Sequence, residues 1–177
     1  MMMTIGPGPG DRLPADVAAL KLPQPALVVW LRHVGLTFFQ EPLAQLREHR
    51  REHPDANLAV RFITIGSQSK AEEFCNLQGA GDLCVGDEDK RTYRAMGLEQ
   101  YNLLKLFTDP ELKKRRAENK AAGFSQNWAA TKIQDGAQLP GAAIVDGAGV
   151  IRWVHRGTHP GDLPPMREML ERAQSLL

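Results

Sequence analysis

The chain has 177 residues, of which 42% are hydrophobic and 24% charged, and a formal net charge of +1. That length suits one domain and that composition can fill a core. The charge gives no general pull toward nucleic acid or an anionic membrane. The strongest apolar run, Ala26 to Leu31, falls far short of the roughly 20 residues that a membrane-crossing helix needs.

The first ten residues, MMMTIGPGPG, have neither a basic start nor a long apolar stretch, so they do not read as a secretory signal. Their glycines and prolines predict a flexible lead-in over residues 1–23, with one domain over 24–177. GPGPG lacks the preceding strand and following helix that a phosphate-binding glycine loop requires. Two cysteines, Cys75 and Cys84, are too few for a disulfide-stapled secreted domain. The expectation is a cytoplasmic protein with reduced thiols.

From Pro25 onward, strand and helix patterns alternate. Ala26-Leu27-Val28-Val29-Trp30-Leu31 is continuously apolar, as in a strand buried on both faces. A helix follows over about Phe39 to His53. Thr37 and Gln40 fit a capping box, Leu43 and Leu46 mark the buried stripe, and Pro54 follows the end. Pro42 near the start is expected to kink a helix that begins so early.

Leu58 to Ile65 is a second β-branched run, ended by Gly66. Ser67 or Ser69 can cap a short helix carrying Phe74 and Leu77. Leu83-Cys84-Val85 reads as a short strand, and Asp87 starts a helix that Gly97 stops. Asp109-Pro110-Glu111 opens another helix, expected to run to Gly123. Ala142–Val145 and Val150–Val154, joined by Asp146-Gly147-Ala148-Gly149, read as a β-hairpin. A last amphipathic helix spans about Leu163 to Leu176. The alternation predicts a three-layer α/β domain whose mixed sheet has about five strands, with helices on both faces. The closing hairpin counts against a flavodoxin-like sheet.

VVWLRHVGLTFFQEPLAQLRE, VGDEDKRTYRAMGL (Val85 to Leu98) and DGAQLPGAAIVDGAGVIRWVHR (Asp135 to Arg156) occur in that order. Together they resemble the peroxiredoxin-like branch of the alkyl hydroperoxide reductase and thiol-specific antioxidant (AhpC/TSA) superfamily, over about Gln24 to Asp162. The resemblance implies a thioredoxin-like fold and antioxidant thiol chemistry at an Arg-His-Phe-Gly-Cys-x-x-Cys frame. Here the frame reads Arg32, His33, Val34, Gly35, Leu36, Thr37, Phe38, Phe39. Leu36 and Phe39 stand where the family places its cysteines. A thiolate is the species that attacks peroxides and disulfides, and neither side chain can supply one. Thr37 is a hydroxyl with no adjacent base, so a helix cap is its expected role. The resemblance also implies a cis proline facing this loop, with Pro140 as the candidate.

Several other groups carry chemistry in principle. Cys75 and Cys84 are expected as small buried hydrophobes. Their sharper alternatives are a relocated reactive thiol or a disulfide formed under oxidation. Arg32 and His33 lie at the carboxyl end of the first strand, where open α/β sheets bind ligands. There Arg32 could hold an anion and His33 could act in acid–base work; closing the loop is the plainer role. His155 and His159, with Arg152 and Arg156, read as a solvated basic rim, because zinc needs three or four converging ligands. Lys113, Lys114, Arg115, Arg116 and Lys120 read as the solvated face of a helix, so nucleic-acid binding is not expected.

Two functions are therefore weighed. The first is a degenerate, non-catalytic binding or interaction module. Its partner would be a protein or small molecule, with Phe38 and Phe39 facing an apolar cleft. The second is a thiol peroxidase or oxidoreductase using Cys84 or Cys75. No cofactor or metal is expected in either case, and a homodimer through the loop around Leu36 is a third possibility.

Overall fold

The computed structural model describes residues 6–33, 40–56, 58–100, 110, 114, 117 and 137–177. The elements in chain order are α1 (Ala15–Ala18), β1 (Ala26–His33), α2 (Gln40–Glu52), β2 (Ala59–Ile65), α3 (Gln68–Leu77) and β3 (Cys84–Gly86). They continue with α4 (Arg91–Ala95), β4 (Gly141–Val145), β5 (Ile151–Arg156) and α5 (Met166–Leu176). The strands form one mixed sheet in the order β3-β2-β1-β4-β5. β1, β2 and β3 run parallel, whereas β4 pairs antiparallel with both β1 and β5. This is the expected architecture.

β1 is apolar throughout because it is central and covered on both sides. Leu27, Val29 and Leu31 enter one core with Leu43 and Leu46 of α2, Ala71 and Cys75 of α3, and Met169 and Leu170 of α5. Ala26, Val28 and Trp30 enter the opposite core with Val17 of α1 and Tyr93 and Met96 of the α4 region. The alternation follows from the two-residue period of a strand.

Local signals account for most element boundaries. Ser67 caps α3, its hydroxyl accepting from the Lys70 amide at 3.2 Å. Pro42 sits in the first turn of α2, where a missing amide hydrogen costs nothing. Asp146 shapes the hairpin turn by accepting from the amides of Ala148 (2.9 Å) and Val150 (3.1 Å). Those two amides, Val150 first, hold the Asp146 carboxyl below its ordinary range. Pro110, Lys114 and Ala117 have helical backbone and are exposed, and the rest of the predicted basic helix lies outside the described residues.

Two expectations are corrected. Residues 6–23 are not a free lead-in. The Gly10 amide donates to Ile151 O, the Leu13 amide to Gly149 O, and the Ile151 amide returns to Asp11 O. Val17 is fully buried. Gly6 lies so close to the Met96 carbonyl and the Arg156 guanidinium that a Cβ would not fit, so its small size serves packing. The second correction concerns the thiols. Cys75 and Cys84 are joined in a disulfide, with Cα atoms 6.0 Å apart, and both are buried. Sequence spacing conceals this pairing because α3 turns back onto the edge strand β3.

The disulfide spans nine positions. Closing a loop of about ten residues stabilises a fold by roughly 2.7 kcal/mol in the chain-entropy account. The exposed Arg167 pairs with Glu48 (3.3 Å) and Glu52 (3.2 Å), which join α5 to α2, are worth about 0.2–1 kcal/mol each. Replacing both cysteines by alanine is therefore expected to cost about 2–3 kcal/mol in urea unfolding while the far-UV spectrum stays native.

His49 of α2 is buried, with its ring 4.6 Å from that of His53. Burial, then the neighbouring His53, holds its pKa below the ordinary value of 6.5. The unfolded chain thus takes up this proton first as pH falls. Stability due to His49 is present above about pH 6.5 and is lost as pH falls below it. His49→Gln should flatten the decline in melting temperature between pH 7 and pH 5.

Candidate functional site

The carboxyl end of β1 is set by a break in its ladder. β1 and β2 pair regularly to Trp30↔Ile63 and resume at His33↔Ile65, with a register shift between. α4 braces this break. The Tyr93 hydroxyl donates to Leu31 O and lies 3.0 Å from Ile63 O. Beside it, the Trp30 indole donates to Thr92 Oγ1 at 3.0 Å, and that hydroxyl donates to Asp87 Oδ2 at 2.5 Å. Asp87 also accepts from the amides of Arg91 (3.1 Å) and Thr92 (2.8 Å), so it closes the start of α4. The Asp87 amide donates to Thr64 O at 2.8 Å, which returns the network to β2.

Next to this end lies a shallow cleft, open to solvent, whose enclosed space is about 20 Å³. Its base includes Leu31 and Arg32, one side Glu41, Pro42 and Gln45, and the other Pro140. Pro160, Leu163, Pro164 and Met166 complete the far wall. Arg32 is only 2% exposed. Gln45 links the two helices at the cleft: its Nε2 donates to Glu41 Oε1 at 3.4 Å, and its Oε1 accepts from the Met166 amide at 2.6 Å.

The far wall is a short loop held in shape by Asp162. One carboxylate oxygen accepts from the amide (2.8 Å) and hydroxyl (3.0 Å) of Thr158. The other lies 3.2 Å from His155 Nε2. Burial raises the pKa of Asp162, but the two Thr158 bonds together with His155 and His159 outweigh it, and the net shift is downward. The Gly157 amide donates to Pro140 O at 2.9 Å.

Of the residues singled out from sequence, Arg32 and Pro140 line this one cleft. His33 ends β1 at the same edge. Leu36, Thr37, Phe38 and Phe39 lie outside the described residues. Cys75 and Cys84 are elsewhere, in the core beneath α3.

The expected cis bond at Pro140 is overturned: Leu139–Pro140 is trans, and the cis bond among the described residues is Gln24–Pro25. The approach to β4 is held extended by its neighbours, which suits the ordinary trans isomer. The Leu139 amide donates to Glu99 O at 3.0 Å, and the Gln138 side-chain amide reaches the carbonyls of Leu98 and Glu99.

The basic rim is corrected at Arg156, which is half-buried and held by backbone carbonyls, whereas Arg152 stays exposed as expected. Arg156 donates to Met96 O at 2.7 Å and to Pro7 O, and burial lowers its pKa. Arg152 lies 3.5 Å from Asp146. Among the described residues no group of three or more His, Cys, Asp or Glu could hold a metal ion, and no helix is long and apolar enough to cross a membrane.

A family model described as AhpC/TSA antioxidant enzyme matches residues 45–159. The chain belongs to the AhpC/TSA family. The matched range begins at Gln45, beyond the Arg32–Phe39 frame. Among solved structures, a thiol peroxidase from Chromobacterium violaceum is 17% identical, with a TM-score of 0.55, covering 96% of this chain and 87% of that one. A protein assigned as the thiol:disulfide interchange protein DsbE from Chlorobium tepidum is 11% identical, with a TM-score of 0.51, covering 93% and 96%. At those identities both show the thioredoxin-like fold. No curated protein matches the sequence.

The cleft-lining residues that sequence reasoning missed are Glu41, Gln45 and the Pro160–Met166 wall. The last helix starts at Met166 rather than near Leu163, and nothing local in PGDLPP says that it folds back over β1. A Cβ on Gly157 would lie 2.8 Å from Pro140 O and 2.9 Å from Asp162 O, both backbone atoms. Gly157→Ala should therefore push the wall away from Pro140 and cost about 1–3 kcal/mol, read by thermal unfolding.

Proposed function

We propose that this AhpC/TSA-family chain is a non-catalytic binding module whose ligand occupies the cleft at the end of β1. The observation that carries this reading is the placement of sulfur. The chain has two cysteines, and they are bonded to each other in the core, away from the cleft-lining residues. The cleft offers instead the cationic Arg32, the amide and carboxylate of Gln45 and Glu41, and apolar walls from Leu31, Leu163 and Met166. The Arg32 guanidinium would face the acceptor end of a ligand, and the prolines would hold its apolar part.

The second reading is thiol chemistry at Cys84 or Cys75, favoured by their pairing and by the family. Their burial opposes it, because a turning-over thiol must meet its substrate.

One experiment separates the two. Reduced protein is given a low dose of hydroperoxide beside Cys75→Ser and Cys84→Ser, and free thiols and intact mass are followed. The binding reading expects oxidation no faster than that of free cysteine. A fast reaction abolished in one variant would establish the peroxidase instead. A companion screen of small aliphatic carboxylic acids by amide chemical shifts should find ligands that perturb Leu31, Gln45 and Met166 and lose affinity in Arg32→Gln. A screen in which nothing perturbs those residues would remove the binding reading.

A further inference from the structure

We infer that Cys75 and Cys84 form a reversible redox latch at the sheet margin, and that its reduction releases the second half of α3 while the rest of the fold stands. The inference does not rest on the cleft.

The α3–β3 corner is fastened at two separate points. At the amino end of α3, Gln68 Oε1 accepts from the Gly86 amide at 2.8 Å, and Gln68 Nε2 reaches Cys84 O at 3.4 Å. Gly86 packs against the backbone of Ser67 and Gln68 too closely to admit a Cβ. That end is held by geometry and hydrogen bonds that owe nothing to sulfur. Two turns later the disulfide holds the other end, where Cys75 meets Cys84.

Beyond Cys75 the described ties are local: the Ala80 amide donates to Cys75 O at 2.7 Å, and Ala80 and Leu83 pack against the core. Leu77 is 78% exposed, and the chain leaves through Gln78–Gly81, with Gly79 and Gly81 at positive φ. β3 has three residues and β2 as its one strand neighbour, so it can part from α3 without disturbing β1, β4 or β5. A fixed end, a covalent fastening and a pliant exit make a hinge with a catch.

The chemistry balances with a dithiol reductant as the named co-reactant. A reductant thiolate attacks one protein sulfur and breaks the Cys75–Cys84 bond, giving a mixed disulfide. The second reductant thiol displaces the protein sulfur and closes the reductant's own disulfide. Two electrons pass to the protein, and two protons end on Cys75 and Cys84. Both sulfurs are buried, so attack follows opening of the corner. The released segment uncovers Phe74 and Leu83, which the closed corner packs against the core.

The full-length protein is equilibrated in native buffer across ratios of reduced to oxidised dithiothreitol. Thiols are trapped and counted by mass, and amide hydrogen exchange is recorded on the same samples. The latch expects both thiols to appear together in a single two-electron transition, without denaturant. It also expects exchange within residues 71–84 to quicken at least about tenfold more than exchange in β1, β4 and β5, which follows only the loss of global stability. Cys75→Ala and Cys84→Ala should each exchange like the reduced protein at every ratio. Thiols that appear only with denaturant, or exchange that quickens equally across the whole sheet or nowhere, would overturn the latch and leave a static cross-link. The titration uses no peroxide, so its failure is distinct from failure of the peroxidase reading.

Discussion

The arrangement depends on how α4 braces the interrupted end of the β1–β2 ladder. A register shift in the centre of a sheet leaves backbone groups that must be satisfied away from water. Tyr93 serves the carbonyls of Leu31 and Ile63, while Trp30, Thr92 and Asp87 form a continuous buried relay from β1 to the α4 amides and back to β2. Each group in this relay is the partner of another, so removal of one strands the next in a low-dielectric interior. The break it supports is where Arg32 leaves the ladder for the cleft. Backbone repair and site placement are thus one structural problem with one solution.

The second theme is the separation of cleft and sulfur. Thioredoxin-like folds put chemistry at the strand-to-helix junction because helix amides and the dipole favour an anion there. In this chain the junction keeps the cleft, with Arg32 and Glu41 on it, while the cysteines lie under α3 on the far side of β2. The Pro160–Met166 wall gives the cleft a rim that depends on Asp162 and Gly157, two residues with no part in a redox motif.

The fold was largely legible in the sequence. β1 announced itself because both its faces are buried, and α3 and the hairpin because Ser67 and Asp146 act within a few residues. The site was less so. Arg32 could be placed by its position at the carboxyl end of β1, but Gln45 acts through Met166, 121 positions away. The N-terminal segment was misread because glycine signals freedom when isolated and close packing when another backbone lies against it. Gly6 is of the second kind, and only Met96 and Arg156 reveal it. The disulfide is available from sequence only as an alternative to buried free thiols, since nine positions of spacing do not say that the helix between doubles back.

The N-terminal segment has a consequence for how copies of the chain meet. An open sheet presents two rows of backbone groups, each able to recruit a strand from another molecule. Residues 10–13 occupy the outer side of the chain around Gly149–Ile151 at the start of β5, and the opposite margin ends in a strand of three residues. The start of β5 is thus already engaged by a segment that looks, in isolation, like a loose tail, and that stretch is closed to a strand from another molecule.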